Sequence, residues 1–168
     1  MHITYLKLKN WRNFRNAEVR LAARSYVIGP NASGKSNLLD VFRFLRDVCK
    51  PVGGGLQKAV EDRGGISKLR CLHHRRDTEV RIEVHLSEKW EAGTSDWRYV
   101  LGFKPEGKGQ QRLLVSSEEV WHGDQRLFSP RPDPSDKADT QLLTETFLEQ
   151  TRVNSDFRII SDFFSSTT

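Results

Sequence analysis

Apolar and polar residues alternate from the first positions of the chain. Ile3, Leu6 and Leu8 predict a strand over residues 2–9. A polar, turn-like stretch over 10–16 follows, and Ala17, Val19 and Leu21 predict a second strand. Tyr26-Val27-Ile28 is a continuous apolar run that stops at Gly29, the pattern of a short central strand buried on both faces. From Lys35 the period lengthens. Leu38, Val41, Phe42, Leu45 and Val48 form one helical face, and Pro51 with Gly53-Gly54-Gly55 ends that helix. Residues 55–68 show no clear period and carry a Gly64-Gly65 turn.

Three more alternating runs follow. Val80, Ile82, Val84 and Leu86 mark one strand, Trp97, Tyr99, Leu101 and Phe103 a second, and residues 112–120 a third. Residues 105–109 read as the turn between the last two. Half-polar alternation of this kind predicts an antiparallel sheet with one wet face. Pro130, Pro132 and Pro134 mark a loop, read as mobile. Residues 142–148 read as a short helix. Asn154 or Ser155 is placed to cap a final helix that carries Phe157, Ile160 and Phe164.

Composition narrows the class. The chain has 168 residues, 36% hydrophobic, with four Trp and nine Phe, enough for a core. No stretch has the roughly 18 apolar residues that cross a membrane, and the first residues do not form a signal peptide, so the expectation is a cytoplasmic protein without a membrane partner. Cys49 and Cys71 are too few for a disulfide framework and are expected as reduced thiols. The net charge of +5 is compatible with a nucleic-acid partner, and more simply with a mildly basic domain.

The strongest chemical signal lies between the apolar run and the helix. Residues 29–36 read Gly-Pro-Asn-Ala-Ser-Gly-Lys-Ser and fit GxxxxGK[ST] at every fixed position. A strand before and a helix after are the context this motif requires. Successive backbone N–H groups curled into a nest, together with a helix N-terminus, can hold the phosphates of a nucleoside triphosphate. Gly29 and Gly34 permit close backbone approach. Lys35, the expected catalytic residue, supplies a point charge to the β- and γ-phosphates, and the Ser36 hydroxyl is a hard oxygen ligand suited to Mg²⁺. The pattern therefore predicts a site for ATP and Mg²⁺ built from Gly29, Pro30, Asn31, Ala32, Ser33, Gly34, Lys35, Ser36 and Asn37. Residues 102–109 nearly repeat the spacing, but Gly109 stands where the Ser or Thr should be, and Lys104 and Lys108 read as solvated turn residues.

Other constellations are weaker. Lys68, Arg70, His73, His74, Arg75 and Arg76 form a basic patch that reads as a nucleic-acid contact or, more simply, as a solvated loop. Cys71, His73 and His74 lack zinc-ligand spacing. Glu118 and Glu119 are adjacent on a strand and point to opposite faces, which suggests a solvent-exposed pair at a strand edge. Trp11 and Phe14 read as core residues, with stacking on adenine as the alternative.

Residues 29–37, Gly-Pro-Asn-Ala-Ser-Gly-Lys-Ser-Asn, resemble the G-x-N-x-S-G-K-S-N form of RecF, SMC-type and related ABC-class ATPases. That group includes the bacterial AAA-family ATPases of the OLD and anti-phage defence type. Leu6-Lys7-Leu8-Lys9-Asn10-Trp11-Arg12-Asn13-Phe14 resembles the first strand of that group, and residues 61–70, with Arg63-Gly64-Gly65-Ile66, resemble the segment after its first helix. The resemblance implies an α/β fold, a P-loop ATPase head whose mixed sheet and phosphate loop (residues 1–50) are followed in the same domain by an antiparallel β-lobe and terminal helices (51–168). By position it implies that Arg12 reaches the phosphates, with a solvated strand-end arginine as the alternative. It places Asn31 near the γ-phosphate and gives Asn37 a part in fixing the loop, where a turn-former and a surface helix residue are the plain readings.

The chain departs from the pattern as well. No apolar strand ends in Asp-Glu, no L-S-G-G-Q-like loop is present, and Gln150 is the only late candidate for a Mg²⁺-sensing glutamine. The expectation is the N-terminal piece of a longer ATPase, completed by C-terminal sequence and a head-to-head homodimer, acting on DNA or with an effector protein in phage defence. On its own the chain is expected to hydrolyse ATP very slowly. A nucleotide-sensing assembly module and a small-molecule P-loop kinase are the alternatives.

Overall fold

The strands Val80–Ser87 and Trp97–Pro105 carry an apolar residue at every second position, and the pairing sets these residues on one face of the sheet with Leu6 and Leu8 of the first strand. β1 (His2–Trp11) turns through Arg12 and Asn13 into β2 (Phe14–Arg20). After the first helices come β3 (Val80–Ser87), β4 (Trp97–Pro105), β5 (Leu113–His122) and the short β6 (Gln125–Arg126). The computed structural model describes residues 1–71, 77–90, 93–107 and 112–167. The strands form one six-stranded sheet in the order β2-β1-β3-β4-β5-β6, and every neighbouring pair is antiparallel. Leu8 stands opposite Ala17 on one side and Ile82 on the other, and Leu6 opposite Val19 and Val84. The period of two is thus kept in register across the sheet.

Helices cover the apolar face. α1 (Lys35–Cys49) buries Val41, Phe44, Leu45 and Val48, and it ends where Lys50 turns extended ahead of Pro51. Phe44 stacks on Phe103 of β4 at 5.6 Å and meets the edge of Trp11 at 5.2 Å. α2 (Leu56–Glu61) and α3 (Ile66–Leu69) occupy the stretch without clear period, joined by Gly64 and Gly65 at φ 83° and 85°, a backbone that disfavours any side chain. α5 (Arg158–Ser165) packs beside α1 and buries Ile160 and Phe164, while Phe157 is buried in the 3₁₀ turn Val153–Phe157 before it; Asn154 and Ser155 lie inside that turn and do not cap the helix, whose N-cap Phe157 makes no side-chain cap. The opposite face of the sheet carries Lys7, Glu83, His85, Arg98 and Glu119, with Val100 buried among them.

Several expectations are corrected. The sheet of the described residues is antiparallel throughout, not mixed, and β1 pairs with both β2 and β3, so residues of both sequence halves share one sheet. Residues 25–28 form no strand. Tyr26 is 83% and Ile28 92% exposed, because no described strand lies beside them to take their backbone hydrogen bonds or cover their side chains. The proline-rich loop is pinned rather than free. Asp133 caps α4 (Pro134–Ala138) with a reciprocal capping box, and Arg131 is buried. Residues 142–148 do not make a helix; a 3₁₀ turn covers Thr140–Thr144.

Glu118 is not a solvated edge carboxylate. It is fully buried, and it accepts hydrogen bonds from the Tyr99 hydroxyl at 2.7 Å, the Phe147 amide at 2.8 Å and Arg131 Nη1 at 3.2 Å. Glu119 does face the other side, where it meets Arg98 at 3.4 Å. Burial pushes the Glu118 carboxyl up to about 7, against the opposing pull of Tyr99, the Phe147 amide and Arg131. Arg131 also pairs with Asp136 and donates to the carbonyls of Leu142 and Glu145, so one guanidinium ties the 131–147 segment to β5.

Candidate phosphate-binding site

The helix that follows the glycine-rich loop starts without a side-chain cap. Gly34 is its N-cap, at φ 95° and ψ 6°, a left-handed conformation that an L side chain rarely adopts. The N–H groups of residues 34–37 have no partner inside the helix; the first intrahelical bond runs from Leu38 N–H to Gly34 O at 2.9 Å. The first turn contains no acidic residue, so the positive end of the helix is not neutralised locally. At the other end of the loop, a Cβ on Gly29 would stand 2.9 Å from Ser33 Oγ. Ser33 N–H donates to Pro30 O at 3.3 Å, and Ala32 sits at φ 62°.

Lys35 closes the loop. Its Nζ donates to the carbonyl oxygens of both Gly29 and Pro30 at 2.6 Å. The ammonium therefore spans the loop from its last residues to its first. Asn31, Ala32, Ser33 and Ser36 are exposed, while Lys35 and Asn37 are half-buried. Exposed backbone donors, one fixed ammonium and one free hydroxyl suit a polyanion carrying a divalent cation. The donor set fits ATP and Mg²⁺. Lys35 and the loop N–H groups would hold phosphate oxygens, and Ser36 Oγ would hold the cation.

The β1–β2 turn rests on this loop. Asn13 Oδ1 accepts a 2.9 Å hydrogen bond from Asn37 Nδ2. Its Nδ2 lies 2.5 Å from the point where a Cβ on Gly34 would sit, so glycine is needed there for space as well as for torsion. Trp11 is fully buried, and its Nε1 donates to Asn37 O at 2.8 Å. It is a core residue that anchors the start of α1, and the adenine-stacking alternative for it is set aside. Phe14 packs at the edge of the core.

Arg12 shares the turn at φ 52°, and its N–H donates to Leu69 O at 2.6 Å. Its guanidinium contacts Asp40 Oδ2 through Nε at 3.2 Å and Nη2 at 2.8 Å. Arg63 contacts the same carboxylate through Nε at 3.1 and 3.2 Å, and reaches Asp47 Oδ2 with Nη2 at 3.0 Å. Burial alone would raise the Asp47 carboxyl, but hydrogen bonds from Lys50, Arg63 and Arg46 outweigh it and hold the group below its ordinary range. Asn13, Asp40 and Arg63 were not singled out from the sequence as site residues. The one usable signal was that Asp40 follows Ser36 by four positions and so shares its helix face.

Lys68 and Arg70 belong to and follow α3, while His73, His74, Arg75 and Arg76 lie outside the described residues, as do Lys108 and Gly109. The main-chain carbonyl of Gln150 accepts from Asn154 N–H at 2.9 Å. Cys49 and Cys71 are free and buried. Among the described residues no cluster of His, Cys, Asp and Glu could hold a metal ion, and no helix is long and apolar enough to cross a membrane.

Comparison with known proteins gives a family and several relatives. The profile of the family described as "AAA domain, putative AbiEii toxin, Type IV TA system" matches residues 25–166, which begin just ahead of the loop. The DNA replication and repair protein RecF of Roseiflexus castenholzii is 30% identical over 99 residues, covering 54% of this chain and 25% of that protein. RecF of Chlamydia caviae is 48% identical over 46 residues, covering 27% and 12%. RecF of Trichodesmium erythraeum is 25% identical over 121 residues, covering 71% and 26%. The aligned part thus spans about a quarter or less of each of these relatives. The profile covers most of the chain, and the relatives are RecF proteins. The chain belongs to this AAA-domain family, among the AAA/ABC-type P-loop ATPases of RecF/SMC-like kind.

Proposed function

We propose that residues 29–37 bind the triphosphate of ATP with Mg²⁺, and that this is the nucleotide-binding portion of an ATPase acting on DNA. The observation that carries the reading is the uncapped start of α1 at a left-handed Gly34, with the Lys35 ammonium drawn across the loop by the Gly29 and Pro30 carbonyls. On this reading the backbone N–H groups and Lys35 grip the β- and γ-phosphates, and Ser36 ligates the cation. Asn31 stands in the loop beside the γ-phosphate, and Arg12 approaches from the neighbouring turn.

Hydrolysis of the β–γ bond needs a carboxylate that orients the attacking water. We assign that group to sequence outside this chain, in keeping with relatives about four times the length of their aligned part, and to a head-to-head dimer that closes over the nucleotide. The exposed Tyr26 and Ile28 support the same view, because a sheet strand contributed from elsewhere would cover them. They adjoin an apolar groove of about 330 Å³ lined by Val27, Leu38, Leu39, Phe42 and Phe163. The RecF relatives support DNA as the substrate; a role in phage defence is the alternative process. A nucleotide-sensing assembly module, in which hydrolysis is incidental, is the second reading, favoured by how open the loop is.

Equilibrium binding of Mg-ATP to the protein and to its Lys35→Ala and Ser36→Ala variants tests the site. Large losses in both are expected, and equal affinity in all three overturns the assignment. Robust Lys35-dependent turnover by the 168-residue chain alone would overturn the division of the catalytic groups. Single-turnover rates of the longer protein, with and without DNA, separate a DNA-stimulated ATPase from an assembly module.

A further inference from the structure

We propose that Asp40 is a positioning residue for the bound nucleotide: it clamps one edge of the Arg12 guanidinium so that the other edge faces the terminal phosphate of a triphosphate. The inference rests on the reading of residues 29–37 given above and adds the residue that aims Arg12.

Position comes first. Asp40 follows Ser36 by four residues in α1, so the two side chains stand one above the other on the same helix face, about 6 Å apart along the axis. Arg12 contacts Asp40 from the β1–β2 turn, and its neighbour Asn13 touches both Asn37 and the space over Gly34. The guanidinium is thus held about one helical turn from the Ser36 hydroxyl.

The hydrogen-bond pattern shows which edge of Arg12 is free. Arg12 uses Nε and Nη2, both on Asp40 Oδ2, and Nη1 makes no hydrogen bond among the described residues. Arg63 is the contrary case. Its Nε meets Asp40, its Nη1 donates to Ala59 O at 2.8 Å and its Nη2 meets Asp47. It lies over the Phe44 ring at 5.3 Å, and its side chain is 8% exposed against 23% for Arg12. Arg63 is committed to the fold; Arg12 keeps a free edge.

Charge points the same way. Among the described residues, Arg12, Arg63, Arg46 and Lys50 pair with two carboxylates, Asp40 and Asp47. Arg63 alone keeps Asp40 paired, so the positive charge of Arg12 is surplus to the cluster and available to an anion. Only the terminal phosphate distinguishes a triphosphate from a diphosphate, so the residue pair acts on that distinction.

The test measures Kd for Mg-ATP and Mg-ADP in the purified protein and in Arg12→Ala, Asp40→Ala, the double variant and Asp47→Asn, with Tm for each. Arg12→Ala is expected to weaken ATP binding about tenfold and ADP binding little. Asp40→Ala should reproduce most of that loss, and the double variant should lose no more than Arg12→Ala. Asp47→Asn cuts the same network away from Arg12, so it should lower Tm and leave the ATP-to-ADP ratio unchanged. If Asp40→Ala weakens ATP and ADP equally, or changes the ratio no more than Asp47→Asn, Asp40 is merely structural and the proposal fails while the loop assignment stands. If Lys35→Ala binds as well as the parent protein, the loop assignment fails and this inference with it.

Discussion

Asn37 Nδ2 donates a 2.9 Å hydrogen bond to Asn13 Oδ1, joining the first turn of α1 to the tip of the β1–β2 turn. The bond is exposed, so its own contribution to stability is small, on the order of 0.5–1 kcal/mol. Its value lies in fixing the turn against the loop. Asn13→Ala and Asn37→Ala should each weaken Mg-ATP binding about threefold, and the double variant should do little more than either. Additive losses in a double-mutant cycle would show that the two side chains act apart.

Gly34→Ala adds a Cβ 2.5 Å from Asn13 Nδ2 at φ 95°. The side chain of Asn13 can shift, but the backbone torsion cannot be relieved, at a cost of about 1–2 kcal/mol. Gly53→Ala is the control, because Gly53 also has a positive φ, 68°, with nothing within 4 Å. Both variants should lower Tm by a similar amount, and only Gly34→Ala should lose nucleotide affinity.

Trp11 is buried between Phe44 and the Asn37 carbonyl. Trp11→Ala should cost about 3–5 kcal/mol in urea unfolding, as expected for an emptied core position. Trp11→Phe should fold and keep the parent ratio of ATP to GTP affinity. A severalfold change in that ratio would restore base stacking to this residue.

Glu118 gives the fold a pH dependence of known sign. Its folded carboxyl titrates at about 7 against an ordinary 4.5, so between those values the folded state holds a proton that the unfolded chain releases. Its stabilising contribution is complete below about pH 4.5 and is lost as pH rises through about 7. Asp47 and Asp136 are shifted down and act oppositely, with stability lost only as pH falls below the ordinary carboxylate range. Urea unfolding from pH 5 to 8 should therefore show declining stability, by on the order of 1–3 kcal/mol. Glu118→Gln should flatten the decline, and an unchanged slope in that variant would assign it to another group.

Arg131→Ala removes the cation from two carboxylates at once, Glu118, which is fully buried, and Asp136, which is nearly so. The expected loss is about 3–5 kcal/mol. Glu118→Gln in the Arg131→Ala background should recover part of it, because a neutral amide needs no counter-charge.

The residues legible from sequence were those whose meaning is local. The alternation in β3 and the three- and four-residue steps of α1 and α5 depend on which side of one element faces the core, and burial follows them; in β4 Val100 and Gly102 are buried as well. The loop motif is also local, since its torsions, donors and ammonium lie within eight residues. Where neighbours from afar decide, the pattern misled. Tyr26-Val27-Ile28 has the composition of a central strand, but a strand is a relation between chains of hydrogen bonds, and no described strand stands beside it.

By itself, then, the sequence determined the glycine-rich loop motif, the helix behind it and most of the apolar face of the sheet, because short-range torsion and periodicity suffice for these. Only the tertiary structure decided the partners of the charged groups. Glu118 became a buried acceptor of Arg131 through the fold of the 131–147 segment, and Arg12 found Asp40 across 28 residues of sequence. Pairing at such separations depends on where the chain returns, and burial then makes it matter by removing the water that would otherwise screen the charges.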